Sequence, residues 1–440
     1  MSVVVVGGGT SGLAAAVVLE QAGTPCLVLE KREFPGGRIA ARERDGFRLD
    51  LGAQFMFKDY PATREMARRL GIADEFVEFS AWLAVFRDGC LYELNTDLAQ
   101  NFKEFAGAFR ARRLLSVGGR LQAGRFLGRL LSLRSHLDFD HPEKALDLDA
   151  VSFADYVREG FGEELLEYVA QPIAGTLTLG EPEEISAAHG LALSLYMLRG
   201  LSMFRKGIGF LAEEMSRAAG EIRLGADVRR IVVEDGRVKG VRADTGAGEE
   251  LIEADHVICT APANLAAELL GDLPASITDA LRTVRYSSCL HVMFGLQGRP
   301  FGKDFAIALP RREGFGFPGL TENSLKASCA PDGCGMVHVY TNDRYAAELL
   351  ELTRDEVRLR VAWELQKIEP SFPEEPLFCE TFYWPEALCL AGPGHFARME
   401  ALKESVRGFE GLHLAGEYLG IPSMEAAIDS GMRAAEAVLG

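Results

Sequence analysis

Four consecutive valines, Val3 to Val6, make a short apolar run with the length of a fully buried strand. Glycines interrupt it at Gly7-Gly8-Gly9, and the Ala/Leu/Val-rich stretch Leu13 to Gln21 then reads as a helix stopped near Gly23. Pro25 to Glu30 is a second strand, ending in an acid. From 76 to 204 the pattern is leucine-rich and helical, and Ser152 starts one helix with Asp155 at capping-box spacing. After Gly225 come two alternating strands turned by Asp235-Gly236, and Ala254 to Pro262 holds another buried strand. From 276 to 395 the predicted elements are strands: Cys289 to Leu296, Phe305 to Leu309, Val337 to Tyr340 and Leu377 to Trp384. Gly411 to Glu417 is a last buried strand, and Pro422 to Gly431 opens a helix that runs through Ala437.

The chain has 440 residues, 48% of them apolar and 25% charged, with a formal charge of −17. That is the composition of a globular protein, long enough for two large lobes. It argues against disorder, and the acidic total argues against a general nucleic-acid binder. Eight scattered cysteines show no CxxC pair and no cysteine–histidine ladder, so reduced thiols in a cytoplasmic protein are expected, with no metal site. No apolar window is long enough to predict a spanning helix.

The first chemical signal is Gly7-Gly8-Gly9-Thr10-Ser11-Gly12, a G-x-G-x-x-G between a strand and a helix. Gly7 permits the tight turn, Gly9 lets the backbone approach a pyrophosphate, and Gly12 lets helix and strand pack closely. The helix N-terminus, at Thr10 and Ser11, faces the phosphates. Glu30, 18 positions after Gly12, is placed to accept hydrogen bonds from an adenosine ribose. This fingerprint alone does not separate NAD from FAD.

The next segments do. Lys31 to Arg38 ends in Gly36-Gly37-Arg38, and Asp50-Leu51-Gly52-Ala53-Gln54 follows a short strand. Together with Gly416-Glu417 and the helix opened by Pro422-Ser423-Met424, this resembles the flavin amine oxidase superfamily, which includes protoporphyrinogen oxidases and carotenoid or squalene desaturases. The stretch from Gln171-Pro172 to Gly175, followed by Gly180-Glu181-Pro182-Glu183-Glu184-Ile185-Ser186, is most similar to its protoporphyrinogen oxidase-like branch. The resemblance implies FAD along Lys31, Gly36, Gly37, Arg38, Gly52, Ala53 and Gln54. It implies Val228 beside the adenine, Ala261-Pro262 near the dinucleotide, Gly416 and Glu417 at the ribityl or pyrophosphate, and Ser423 and Met424 at the flavin pyrimidine. The fold class it implies is α/β: a Rossmann-like FAD domain of the GR2 type assembled from 1–75, 205–275 and 396–440, plus an α+β substrate domain from 76–204 and 276–395. Gln54, Phe55 and Trp384 are candidates for the substrate pocket. Trp384 reads equally well as a core tryptophan at a strand end. His395, after Gly-Pro-Gly, reads as a helix-cap or surface histidine.

With FAD present the flavin carries the difficult step, and no catalytic side chain is assigned. The superfamily's amine oxidases place a lysine on the strand corresponding to Ser287–His291 and an aromatic before the Met-Glu pair. Here the first stretch is SSCLH and the second position is Ser423, which lowers the case for a simple amine. The expected function is therefore FAD-dependent dehydrogenation of a large, mostly apolar substrate, protoporphyrinogen oxidase-like. The alternatives are a carotenoid or squalene-type desaturase, an amine or amino-acid oxidase, or a non-redox flavin isomerase or ligand-binding flavoprotein. Oxygen or a quinone is the expected electron acceptor, since no second fingerprint for a nicotinamide cofactor is present. From 105 to 137 there are seven arginines and no acid, interleaved with leucines. Such a segment suits peripheral contact with the inner membrane surface, or a helical cap paired with the acidic remainder. Gly118-Gly119 is expected to break any single long helix there. The oligomeric state is left open.

Overall fold

The computed structural model describes residues 1–79, 81–95, 113–139, 141–246 and 248–440. Its organising element is a five-stranded sheet, all parallel, in the order Glu221–Leu224, Cys26–Glu30, Val3–Val6, His256–Cys259, Leu412–Leu414. Val3–Val6 is central and fully buried, as an uninterrupted valine run must be in a sheet covered on both faces. The helix Thr10–Gln21 follows it directly and packs along the terminal helix Met424–Leu439. The approach is close: a Cβ on Gly431 would lie 2.2 Å from the Ser11 carbonyl oxygen. An antiparallel sheet, Asp227–Glu234, Arg237–Asp244 and Glu249–Glu253, covers part of this unit. Its first turn is made by Asp235 and Gly236, both at positive φ.

A second, mixed sheet of seven strands runs in the order Phe378–Leu390, Arg285–Gln297, Cys334–Tyr340, Gly319–Glu322, Asp304–Ala308, Trp82–Arg87, Cys90–Asn95. The strand pattern expected for 276–395 is present, with longer strands. The helical pattern expected for 76–204 is only partly right. Trp82–Arg87 and Cys90–Asn95 are a hairpin that extends the second sheet, and Phe76–Phe79 pairs with Leu201–Phe204. The hairpin turn is Asp88-Gly89, again at positive φ. One face of the seven-stranded sheet is covered by the helices Asp343–Leu350 and Arg354–Ile368, which pack Tyr345, Val357 and Val361 on Val292, Phe294 and Val339. The opposite face packs Met293, Met336 and Trp384 with Leu49 and Leu51. The α/β class with a separate sheet-and-helix lobe is thus the architecture found.

Ser152 caps the helix Phe153–Phe161 by accepting from the Asp155 amide, as expected. The helix Val117–Ser132 starts at the position where a break was expected. Gly118 and Gly119 lie in its first turn, and a Cβ on Gly119 would meet a Glu164 carboxylate oxygen at 2.2 Å. Part of the 105–137 segment, including Arg110 and Arg112, lies outside the described residues. No helix among the described residues is long and apolar enough to cross a membrane. All eight cysteines are free.

Candidate functional site

One cavity of about 1270 Å³ runs from the glycine loop to the seven-stranded sheet. Gly7, Gly9, Thr10, Ser11, Glu30, Lys31, Gly37, Arg38, Gly52, Ala53, Gln54, Phe55, Val228, Ala261, Pro262, Trp384, Glu417, Ser423 and Met424 all line it. The sequence candidates, drawn from seven separated stretches, therefore meet in one space. Gly12, Gly36 and Gly416 stand behind the wall and act on its shape. A Cβ on Gly12 would sit 1.9 Å from the Gly7 carbonyl oxygen, one on Gly36 2.9 Å from Ala212, and one on Gly416 2.4 Å from the Tyr418 ring.

The end at the glycine loop offers backbone donors and open space. The helix Thr10–Gln21 has no side-chain cap at Gly9 and no acid in its first turn, so its leading amides are free for a ligand. A Cβ on Gly9 would meet nothing within 4 Å, so the space above it is open. Glu30 accepts from the Gly8 amide at 2.7 Å and from the Arg32 amide at 2.9 Å, which fixes the carboxylate at the cavity wall. Arg38 pairs with Glu417 at 2.6 Å and donates to the Ala387 carbonyl at 3.2 Å. Burial opposes the Arg38 charge, but Glu417 more than offsets it and holds the guanidinium protonated. The other Glu417 oxygen, Oε1, is buried with no partner, an acceptor left for a ligand hydroxyl or a water. The residues present fit FAD.

The strip between Asp50 and Phe55 separates the two ends. Trp384 lies inside the strand Phe378–Leu390, not at its end; it is buried and lines the cavity, and its Nε1 donates to the Leu51 carbonyl at 2.8 Å. The Arg32 guanidinium stacks 4.3 Å from the centre of its ring. His291 Nδ1 meets the same Leu51 carbonyl at 2.9 Å, so Nδ1 carries the proton. Burial brings His291 down to about 4, so it is neutral near pH 7. His291 also stacks on Tyr340, 4.8 Å between ring centres.

The far end is walled by Phe55, Ile173, Leu177, Leu193, Ala306 and their neighbours, with Gln54, Thr321, Tyr340 and His291 as a polar margin. His189 also faces this space; both its ring nitrogens lack partners, and burial takes it down to about 3. The charged side chains lining the cavity among the described residues, such as Glu30, Lys31, Arg38, Asp227 and Glu417, lie toward the glycine loop. His189, His291, Thr321 and Tyr340 were missed from the sequence. For His291 a signal existed: a lone polar residue interrupting the apolar strand CLHVMF. His395 is the first residue of the helix His395–Val406 but is not at the surface; it is buried and bonded to the Tyr418 carbonyl at 2.8 Å.

Comparison with known proteins agrees with this geometry. The rice (Oryza sativa subsp. japonica) chloroplastic protoporphyrinogen oxidase is 26% identical over 94% of this chain and 84% of its own length. The zeta-carotene-forming phytoene desaturase of Myxococcus xanthus is 27% identical over 84% of this chain and 78% of its own. The solved structure of cyclohexylamine oxidase from Brevibacterium oxydans IH-35A has the same fold, with a TM-score of 0.74 at 19% identity, covering 99% of this chain and 98% of that one. The profile of the family described as flavin containing amine oxidoreductase matches residues 10–439. The chain belongs to that family and is an FAD-dependent oxidoreductase.

Proposed function

We propose that the protein dehydrogenates a large, mostly apolar substrate, in the manner of the protoporphyrinogen oxidases and the phytoene desaturase to which it is similar. The observation that carries this reading is the two-ended cavity, charged toward the glycine loop and mostly apolar, with no charged side chain, at the other end. Bound FAD supplies the hydride acceptor. The chain's own residues bind, orient and exclude water. Gly7, Gly9 and the amides of Thr10 and Ser11 receive the pyrophosphate, Glu30 a ribose, and Val228 the adenine. Gly36-Gly37 lets Arg38 reach the middle of the cofactor beside Glu417, and Gly52, Ala53, Ser423 and Met424 border the ring. Phe55 and the aliphatic wall beyond it hold the substrate and keep it dry.

A peripheral membrane position follows from the same reading. The helix Val117–Ser132 exposes Val117, Leu121, Leu127 and Leu131 to solvent, at 77%, 70%, 41% and 48%. Arg120, Arg125 and Arg129 lie on the same exposed surface, with no acid in the helix. Leu114, just before this helix, lines the cavity. An apolar substrate can then enter from the inner surface of a cytoplasmic membrane, and oxygen or a quinone reoxidises the enzyme.

The test is anaerobic addition of porphyrinogens, polyenes and amines to the yellow holoenzyme. Lasting loss of flavin absorbance with release of a more conjugated product is expected from one of the first two. Bleaching by amines alone, or a bound or isomerised ligand with unbleached flavin, overturns the reading.

A further inference from the structure

Behind the strip Asp50–Phe55 lies a lysine that the dinucleotide and substrate sites do not account for. Lys326 follows the short turn Asn323–Leu325, and its side chain is 1% exposed. Its Nζ donates to the Gln54 backbone carbonyl and to Gln54 Oε1, the latter at 2.9 Å. Asp50 Oδ2 is 3.8 Å away, and the Phe305 ring centre is 6.0 Å away. Gln54 Oε1 also accepts from the Asn323 amide, and Gln54 Nε2 donates back to the carbonyls of Asp50 at 3.0 Å and Gly52 at 2.7 Å. Asn323 Oδ1 in turn accepts from Thr321 Oγ1 at 2.8 Å, and Thr321 shares a hydrogen bond of 2.9 Å with the Tyr340 hydroxyl. Gln54, Thr321 and Tyr340 line the cavity, so the network carries the position of one buried amine to the cavity wall.

Burying an ammonium is costly, and a well-packed apolar side chain of similar length would fill the same volume without that penalty. What an apolar side chain cannot do is hold both oxygens of Gln54 at once. We propose that Lys326 is a positioning residue for the reaction, acting through Gln54 on the strip Gly52–Phe55 that borders both ends of the cavity. This rests on the FAD-dehydrogenase reading above.

The charged form of Lys326 is the one with the most to donate. The titratable groups around it are Asp50 from the end of the strand Phe47–Asp50, Cys329 from its own loop, and His291 and His338 from the sheet. Burial keeps both histidines neutral and pushes the Cys329 thiol up to about 12, which leaves Asp50 as the counter-charge. Burial also brings Lys326 from 10.5 down to about 8, against the pull of Asp50. The grip on the strip should therefore weaken as pH rises through that value.

The experiment measures FAD affinity and the flavin absorption spectrum of the wild type, Lys326→Met and Lys326→Gln from about pH 6.5 to about pH 9.5. The wild type should lose affinity by about tenfold across this range in a one-proton transition near pH 8, the loss of one charge-assisted hydrogen bond. Lys326→Met should bind at the weakened level at every pH, and Lys326→Gln, which still donates, should recover part of the affinity without the transition. Wild-type affinity, spectrum and pH profile in Lys326→Met would overturn the proposal. If Lys326→Met does not fold, Lys326→Gln and the wild-type titration decide it in the same way. A wild type that binds no FAD would instead defeat the underlying reading.

Discussion

Arg38 and Glu417, 379 positions apart in the chain, pair at 2.6 Å in the wall of the cavity. The pair ties the loop after the second parallel strand to the loop after the fifth. It leaves one Glu417 oxygen without a protein partner. Replacing Arg38 by Met strands a largely buried carboxylate, so apoprotein stability should fall by about 3 kcal/mol. The double variant Arg38→Met/Glu417→Met should regain much of this while remaining defective in FAD binding. Denaturant unfolding and flavin fluorescence separate the two effects. Equal stability of the single and double variants would show that the pair is not coupled.

Gly9 and Gly12 should respond differently to the same substitution. A methyl group at Gly9 meets no protein atom and projects into open space, so Gly9→Ala should leave apoprotein stability unchanged and weaken FAD binding by at least about tenfold. At Gly12 the methyl collides with the Gly7 carbonyl, so Gly12→Ala should destabilise the apoprotein itself by about 1–3 kcal/mol. Thermal unfolding with and without FAD distinguishes them.

Lys326 gives the apoprotein a pH dependence of its own. The amine is fully buried and holds its proton only up to about pH 8 when folded, against 10.5 for an ordinary lysine. Between these values the unfolded chain binds more protons, so stability rises with pH there. The gain is complete above about pH 10.5 and is lost as pH falls through about 8, in total roughly 3 kcal/mol. Lys326→Met should remove this rise. Urea unfolding at a series of alkaline pH values checks it; parallel curves for the two proteins would refute it.

The exposed leucines of Val117–Ser132 provide a surface test. Leu121→Glu/Leu131→Glu should leave the unfolding midpoint within about 0.5 kcal/mol of wild type, since both side chains are exposed. Binding to vesicles containing phosphatidylserine should drop by about tenfold or more, and wild-type binding should weaken with salt. Sedimentation that is the same for both proteins would exclude this helix as the contact.

The strand–glycine loop–helix unit at one end of the cavity was legible because its pattern is local. A strand, three spaced glycines, a helix and an acid lie in order between Val3 and Glu30, and backbone geometry explains the glycines. The hairpin of Trp82–Arg87 and Cys90–Asn95 was legible in principle, since Asp88-Gly89 sits between two alternating runs, but the surrounding leucines suggest helix. Lys326 was not legible. In Asn-Ser-Leu-Lys-Ala-Ser it looks like any surface lysine, and only the fold brings Asp50 and Gln54 over it. His291 and Trp384 likewise acquire their common partner, the Leu51 carbonyl, through tertiary contact alone.

The strand order of the parallel sheet also sets a timetable. Val3–Val6 lies between Cys26–Glu30 and His256–Cys259, and the sheet ends at Leu412–Leu414. On the ribosome, the valine strand waits while some 250 residues are made before its second neighbour exists, on the order of tens of seconds at ordinary elongation rates. Throughout that interval one edge of a wholly apolar strand lacks its native partner. Slower synthesis lengthens the exposure and chaperone binding shields it, so the yield of soluble protein should depend more on how this strand is protected during translation than on the stability of the finished fold.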